Sequence, residues 1–103
     1  MSTVKVKYSL ILPSYNEYHN LKLLIPLLIN CFKSKNYEII IVDDNSPDLT
    51  TRKLKAKYKQ NKFIKFILRK KNRSLGLSIK DGIKNSKSKN IIVMDSDFNH
   101  RPI

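Results

Sequence analysis

Two aspartates one residue apart, Asp95 and Asp97, close the segment "NIIVMDSDFNHRPI" at the end of a run of strand formers. In an extended segment, residues i and i+2 point to the same side, so both carboxylates can face one ion. Hard oxygen ligands suit Mg²⁺ or Mn²⁺, and Mg²⁺ is characteristically held by one or two carboxylates together with substrate phosphates. The plainer reading of the same residues is an Asx turn that ends a strand. Three further segments carry polar chemistry. "PSYNE" places Pro13, Tyr15 and Glu17 after an apolar run, with a ring to stack on a base and a carboxylate to accept from it. "VDDNSPD" closes a second apolar run with Asp43, Asp44 and Asp48. An acid there can accept from a ribose or base; Ser46 or Asp48 can equally cap the next helix. "LRKKNRSLGLS" sets Arg69, Lys70, Lys71 and Arg73 just before a helix start, where free amides and guanidinium groups favour a pyrophosphate.

These segments need a scaffold that brings them together, and the hydrophobic pattern supplies one. "VKYSLIL" (6–12), "YEIIIVDD", "FIKFIL" and "NIIVMD" read as strands; the second is a continuous apolar run, as in a strand covered on both faces. Between them, "LKLLIPLLINCFK" has Leu21, Leu24, Leu28 and Cys31 at helical spacing, with Pro26 expected to kink the helix or to start its regular part. "SPDLTTRKLKAKYKQ" and "SLGLSIKDGIKNS" complete three helices, and Gly76 and Gly82 are expected to allow close packing on the sheet. The plainer reading of "PSYNE" is a capping segment, with Asn16 as N-cap of the first helix.

The order β-α-β-α-β-α-β implies an α/β fold, Rossmann-like, with a mainly parallel sheet and right-handed crossovers. Such sheets bind ligands beyond the carboxyl ends of their strands. Six of the eight acids (Glu17, Asp43, Asp44, Asp48, Asp95, Asp97) fall at or just after expected strand ends, whereas Glu38 and Asp81 lie elsewhere. Like charges so gathered repel one another, and a bound cation is the simplest compensation. A nicotinamide site is disfavoured, because the first strand leads into "PSYNE" and not into a glycine-rich turn.

The composition bounds the rest. One small domain of 103 residues carries 21 Lys and Arg against 8 Asp and Glu, a formal charge of +13. That balance fits an anionic partner: nucleic acid, a membrane surface or a phosphorylated ligand. Compositional drift competes with it, since Lys, Asn and Ile make up 40 residues. A basic nucleic-acid-binding domain is disfavoured: the charge is spread along every element, and no helix-turn-helix or aromatic RNA-binding signature is present. The single Cys31 excludes an internal disulfide, fits a reducing compartment and is expected to be buried on its helix stripe. His19 and His100 have no second ligand at metal spacing and read as surface residues. No segment approaches the ~20 apolar residues of a membrane span.

Taken together and in this order, "LPSYNE", "VDDNSPDLT", "RKKNRSLGLS" and "VMDSDFNHRP" resemble the nucleotide-sugar half of a family 2 glycosyltransferase, of the dolichol-phosphate mannose synthase branch. The resemblance covers essentially all 103 residues as one partial domain and implies the GT-A fold. It implies that Pro13, Tyr15 and Glu17 hold a guanine nucleotide with Val42 and Asp44 beside it, and that Asp95, Ser96 and Asp97 contact the sugar diphosphate. Asp95, Asp97 and Asn99 would hold Mg²⁺ or Mn²⁺, with Asp97 central to catalysis. The family has Ala and Gln where this chain has Ser96 and Asn99, and the shorter Asn99 implies a water-mediated metal contact. The implied reaction transfers mannose from GDP-mannose to dolichyl or another polyprenyl phosphate, in a cytoplasmic protein peripheral to the membrane surface. Since the family sheet continues after D-x-D, the chain alone is expected not to catalyse transfer unless a second chain completes the domain. A non-catalytic nucleotide-binding module is the alternative.

Overall fold

The computed structural model describes residues 6–32, 36–47 and 49–94. Seven elements alternate: β1 (Tyr8–Ser14), α1 (Tyr18–Phe32), β2 (Tyr37–Asp43), α2 (Thr50–Lys57), β3 (Ile64–Leu68), α3 (Leu75–Lys84) and β4 (Ile91–Val93). The four strands form one parallel sheet in the order β3-β2-β1-β4. The chain thus steps outward from β1 to β3 and then returns to β1's other side. The β1–β4 crevice is therefore the topological switch point, where ligands of open α/β sheets bind.

Alternation along the strands divides the core. Leu10, Leu12, Ile39 and Ile41 point to the face covered by Leu21, Ile25 and Leu28 of α1 and Leu54 of α2. Ile11, Ile40 and Val42 point to the opposite face, under α3. β2 is buried at every position, which explains its unbroken apolar run. Of the two glycines, Gly82 is the one that packing requires: a Cβ there would lie 2.6 Å from Ile11 Cγ2. At Gly76 a Cβ would meet only Ser74 Oγ, at an ordinary 3.8 Å, so packing does not require glycine there, contrary to the expectation for it.

Other expectations are corrected by local geometry. α1 begins at Tyr18, so Pro26 does not start its regular part; Pro26 lies on the exposed side, where water can meet the carbonyl left without a donor. Cys31 is exposed; helical drift turns Phe32 inward instead, 5.7 Å from the Tyr37 ring. β1 extends to Ser14 and includes Pro13. The Ser9 amide donates to Asn90 O, and Ile11 O accepts from Met94 N, so odd residues of β1 face β4. Pro13 is the next odd residue and has no N–H to give, so the ladder to β4 lacks a donor at that point.

At the amino rim, Glu38 is buried at 2 % exposure. It accepts from Ser9 Oγ at 2.7 Å and the Lys87 amide at 2.6 Å, and lies 2.9 Å from Lys65 Nζ. Burial alone would raise its pKa, but these three partners together bring it below the ordinary value of 4.5. The Ser88 amide in turn donates to Ser9 Oγ, so this one acid secures the loop that leads into β4.

Candidate functional site

The first three strands end in loops at one rim of the sheet, and each loop contains an asparagine in the left-handed conformation: Asn16, Asn45 and Asn72. Asparagine tolerates that region better than other non-glycine residues, so the chain turns sharply here without glycine. Asn16 is therefore a turn residue and not the N-cap of α1. Glu17 takes that position, with its main-chain oxygen accepting from Leu21 N and its Oε1 accepting from Asn20 Nδ2 at 2.6 Å.

The loop after β2 is organised by Asp43. Its Oδ1 accepts from the Ser46 amide at 3.0 Å and from Ser46 Oγ. Its Oδ2 accepts from the Thr51 amide at 3.2 Å and Thr51 Oγ1 at 2.7 Å. Asp43 thus reaches over from the strand to satisfy a free amide of α2. No side chain of the N-cap residue does so, since Leu49 occupies that position in a left-handed conformation. Ser46 is not the helix cap; its Oγ accepts from the Asn16 amide at 2.7 Å and ties the first loop to the second. Asp48 lies outside the described residues.

Asp44, the next residue, is buried and faces the other way. Arg69 donates to its Oδ1 at 2.7 Å, while the Ser74 amide at 2.7 Å and Ser78 Oγ at 3.2 Å donate to its Oδ2. A carboxylate offers about four lone-pair sites. Among the described residues, Asp44 therefore keeps one acceptor position, on Oδ1. Ser74 caps α3, its Oγ accepting from Leu77 N.

A cavity of about 370 Å³ opens between these loops. Pro13, Tyr15, Glu17 and Asp44, expected from the sequence, line it, and so do Ser14, Arg73 and Ser78. Tyr15 is 41 % exposed, and the Arg73 guanidinium stacks 4.1 Å from its ring centroid. Ser14 Oγ is buried with no hydrogen-bond partner among the described residues. The basic run is thereby divided. Arg73 reaches the cavity, and Lys70 and Lys71 line a smaller adjoining hollow of about 110 Å³. Arg69 is committed to protein carboxylates, bonding Asp81 as well as Asp44. Asp81, expected away from the rim, joins it through Arg69.

Val42 does not line the cavity: the whole residue is buried, with its side chain in the cluster under α3. Asp95, Ser96, Asp97, Asn99 and His100 lie outside the described residues, and His19 is exposed. Among the described residues no group of three or more His, Cys, Asp or Glu side chains could hold a metal ion. The expected metal set thus rests on Asp95, Asp97 and Asn99. The strand that leads to them pairs in parallel with β1, through Ile11 and Val93, and runs toward the same rim as Tyr15, Glu17 and Asp44.

The structure is a parallel α/β sheet in the order β3-β2-β1-β4 with a cavity beyond the carboxyl ends of β1 and β2, and its neighbours among solved structures have the GT-A fold. Residues 9–103 match glycosyl transferase family 2, and the chain belongs to that family. It is 39 % identical over 100 residues to the dolichol-phosphate mannosyltransferase of Pyrococcus furiosus, covering 94 % of this chain and 27 % of that protein. The dolichol-phosphate mannosyltransferase of Saccharomyces cerevisiae is 31 % identical over 105 residues, covering 96 % and 38 %. This chain therefore spans about a quarter to two-fifths of the length of these relatives. Among solved structures, Staphylococcus aureus TarS superposes with a TM-score of 0.78 at 26 % identity, over 89 % of this chain and 28 % of that one. PcManGT of Pyrobaculum calidifontis, a mannosyltransferase solved with GDP-Man and Mn²⁺, superposes with a TM-score of 0.72 over 92 % of this chain and 28 % of its own; at 17 % identity it shares the fold.

Proposed function

We propose that this chain is the donor-binding part of a glycosyltransferase that moves mannose from GDP-mannose to dolichyl or another polyprenyl phosphate. The observation that carries the reading is the convergence of Tyr15, Glu17, Asp44 and Arg73 on one cavity, at the rim toward which β4 runs. The names of the relatives support the mannosyl donor and the lipid phosphate acceptor. In this reading Tyr15 offers its ring to the base, the spare Oδ1 position of Asp44 accepts one N–H from it, and Arg73 meets the diphosphate. Asp95 and Asp97 would hold Mg²⁺ or Mn²⁺, which would stabilise the departing diphosphate as a Lewis acid. A phosphate acceptor is already ionised near neutral pH, so no strong base is required. The formal charge of +13 would hold the protein at an anionic cytoplasmic membrane face.

Calorimetric titration of GDP into the 103-residue chain, with Mn²⁺ and then with EDTA, tests the reading. The expected result is binding that needs the metal and is lost in Asp97→Ala. Absence of GDP binding under both conditions would overturn it. With GDP-mannose and polyprenyl phosphate, the chain alone is expected to give no transfer, since the relatives use a much longer polypeptide.

A further inference from the structure

Arg69 lines the smaller hollow beside Lys70 and Lys71, yet its side chain is only 10 % exposed and its guanidinium is bonded at both ends to protein. Nε donates to Asp81 Oδ2 at 2.7 Å, and one terminal nitrogen donates to Asp44 Oδ1 at 2.7 Å and to Asn72 O at 3.2 Å. We propose that Arg69 and Asp81 are a positioning pair for Asp44, fixing the plane of its carboxylate so that the one spare acceptor of Oδ1 faces the cavity. The proposal rests on the nucleotide reading of that cavity.

The argument is geometric. The terminal torsion of an aspartate is broad, so one or two donors on a single oxygen leave the carboxylate free to rock. Here Oδ2 is held from α3 by the Ser74 amide and Ser78 Oγ, and Oδ1 is held from the β3 side by Arg69. Donors on both oxygens, from two different elements, fix the plane. Asp81 lies one turn beyond Ser78, on the same face of α3, and grips the far edge of the guanidinium. Helix α3 thus holds the carboxylate directly and also through Arg69. Lysine cannot reproduce this, because its single ammonium has no planar fork to span two carboxylates in fixed directions.

The test uses the 103-residue chain with Asp81→Asn, Arg69→Lys and the conservative Asp81→Glu. Two readouts are needed. Hydrogen exchange of the Ser74 amide reports the grip on Asp44 without any ligand. Titrations with GDP and with inorganic pyrophosphate separate the base contact from the phosphate contact. Loss of one charged hydrogen bond should speed Ser74 exchange about tenfold in Asp81→Asn and weaken GDP by about the same factor, leaving pyrophosphate within about twofold. Arg69→Lys should do more, and Asp81→Glu should recover most of the loss. Unchanged Ser74 exchange in Asp81→Asn, or equal weakening of GDP and pyrophosphate, would overturn the proposal. Should the parent chain bind neither ligand, the nucleotide reading fails, and Ser74 exchange alone still decides whether the pair positions Asp44. Asp81 is 39 % exposed, so Asp81→Asn carries the decision if Arg69→Lys does not fold.

Discussion

Replacing Glu38 tests how the rim opposite the cavity supports it. In Glu38→Ala, the Lys87 amide loses an acceptor at 2.6 Å and the Ser9 hydroxyl loses one at 2.7 Å. Each is a hydrogen bond to a charged group, worth about 1.5 kcal/mol or more. The Lys65 pair adds less than about 1 kcal/mol, because that lysine is a third exposed. The expected loss is about 3–4 kcal/mol, a large part of the roughly 5–15 kcal/mol available to a domain of this size. Melting should fall by roughly 10–20 °C. The pH dependence follows from the lowered pKa. The ionised form of Glu38 is favoured in the folded state, so its contribution is fully present above the ordinary value of 4.5 and is lost as pH falls through the lower folded value. Urea unfolding of the parent and of Glu38→Gln at neutral pH and again below pH 4 should show the parent losing more stability on acidification. Equal losses in the two proteins, or a Glu38→Ala cost below about 1 kcal/mol, would refute the account.

Three further substitutions probe the packing and the loops. Gly82→Ala drives a methyl group into Ile11; overpacking of about 1–3 kcal/mol outweighs a helix-propensity gain of about 1 kcal/mol, so thermal melting should show a net loss. Gly76→Ala, whose methyl group would make only an ordinary contact with Ser74 Oγ on the same helix, should instead stabilise by up to about 1 kcal/mol in the same assay. Asp43→Ala removes four hydrogen bonds to Ser46 and Thr51, and denaturant melts should show a cost of about 3 kcal/mol, with Asp43→Asn in between.

The alternation of elements was legible because short apolar runs alternate with stretches of helical period, and β2 in particular is an unbroken run covered on both faces. The gathering of acids after the strands located the rim, and Tyr15, Glu17 and Asp44 do line one cavity there. The division of labour within "VDDNSPD" was not legible. Adjacent residues on a strand end face opposite ways, so Asp43 serves the turn and α2 while Asp44 serves α3 and the cavity. Which face each takes depends on strand register, which composition does not reveal. Arg69 shows the same limit: four cations in a row look alike until a buried carboxylate claims one. Ser14 and Ser78 lie inside the quoted segments "PSYNE" and "RKKNRSLGLS", but a lone serine gives no sign of which way its hydroxyl turns. Cys31 was misplaced because a stripe of 3.6 residues per turn drifts over four turns, and Phe32 competes for the same inward position.

The placing of β1 between β2 and β4 also sets an order of assembly. One side of β1 pairs with a strand made soon after it, Ser9 opposite Glu38; the other waits for Ile91, which is made much later. Until that late strand docks, β1, an interior strand of the described sheet, has an open hydrogen-bonding edge flanked by Leu10 and Ile11. Such an edge is a template for pairing with other chains. Slow, long-range closure is the expected kinetic penalty of parallel pairing. The step that ends this exposure also forms the β1–β4 crevice, and it moves the open edge of the described sheet outward to β4, where Ile92 and Val93 are exposed.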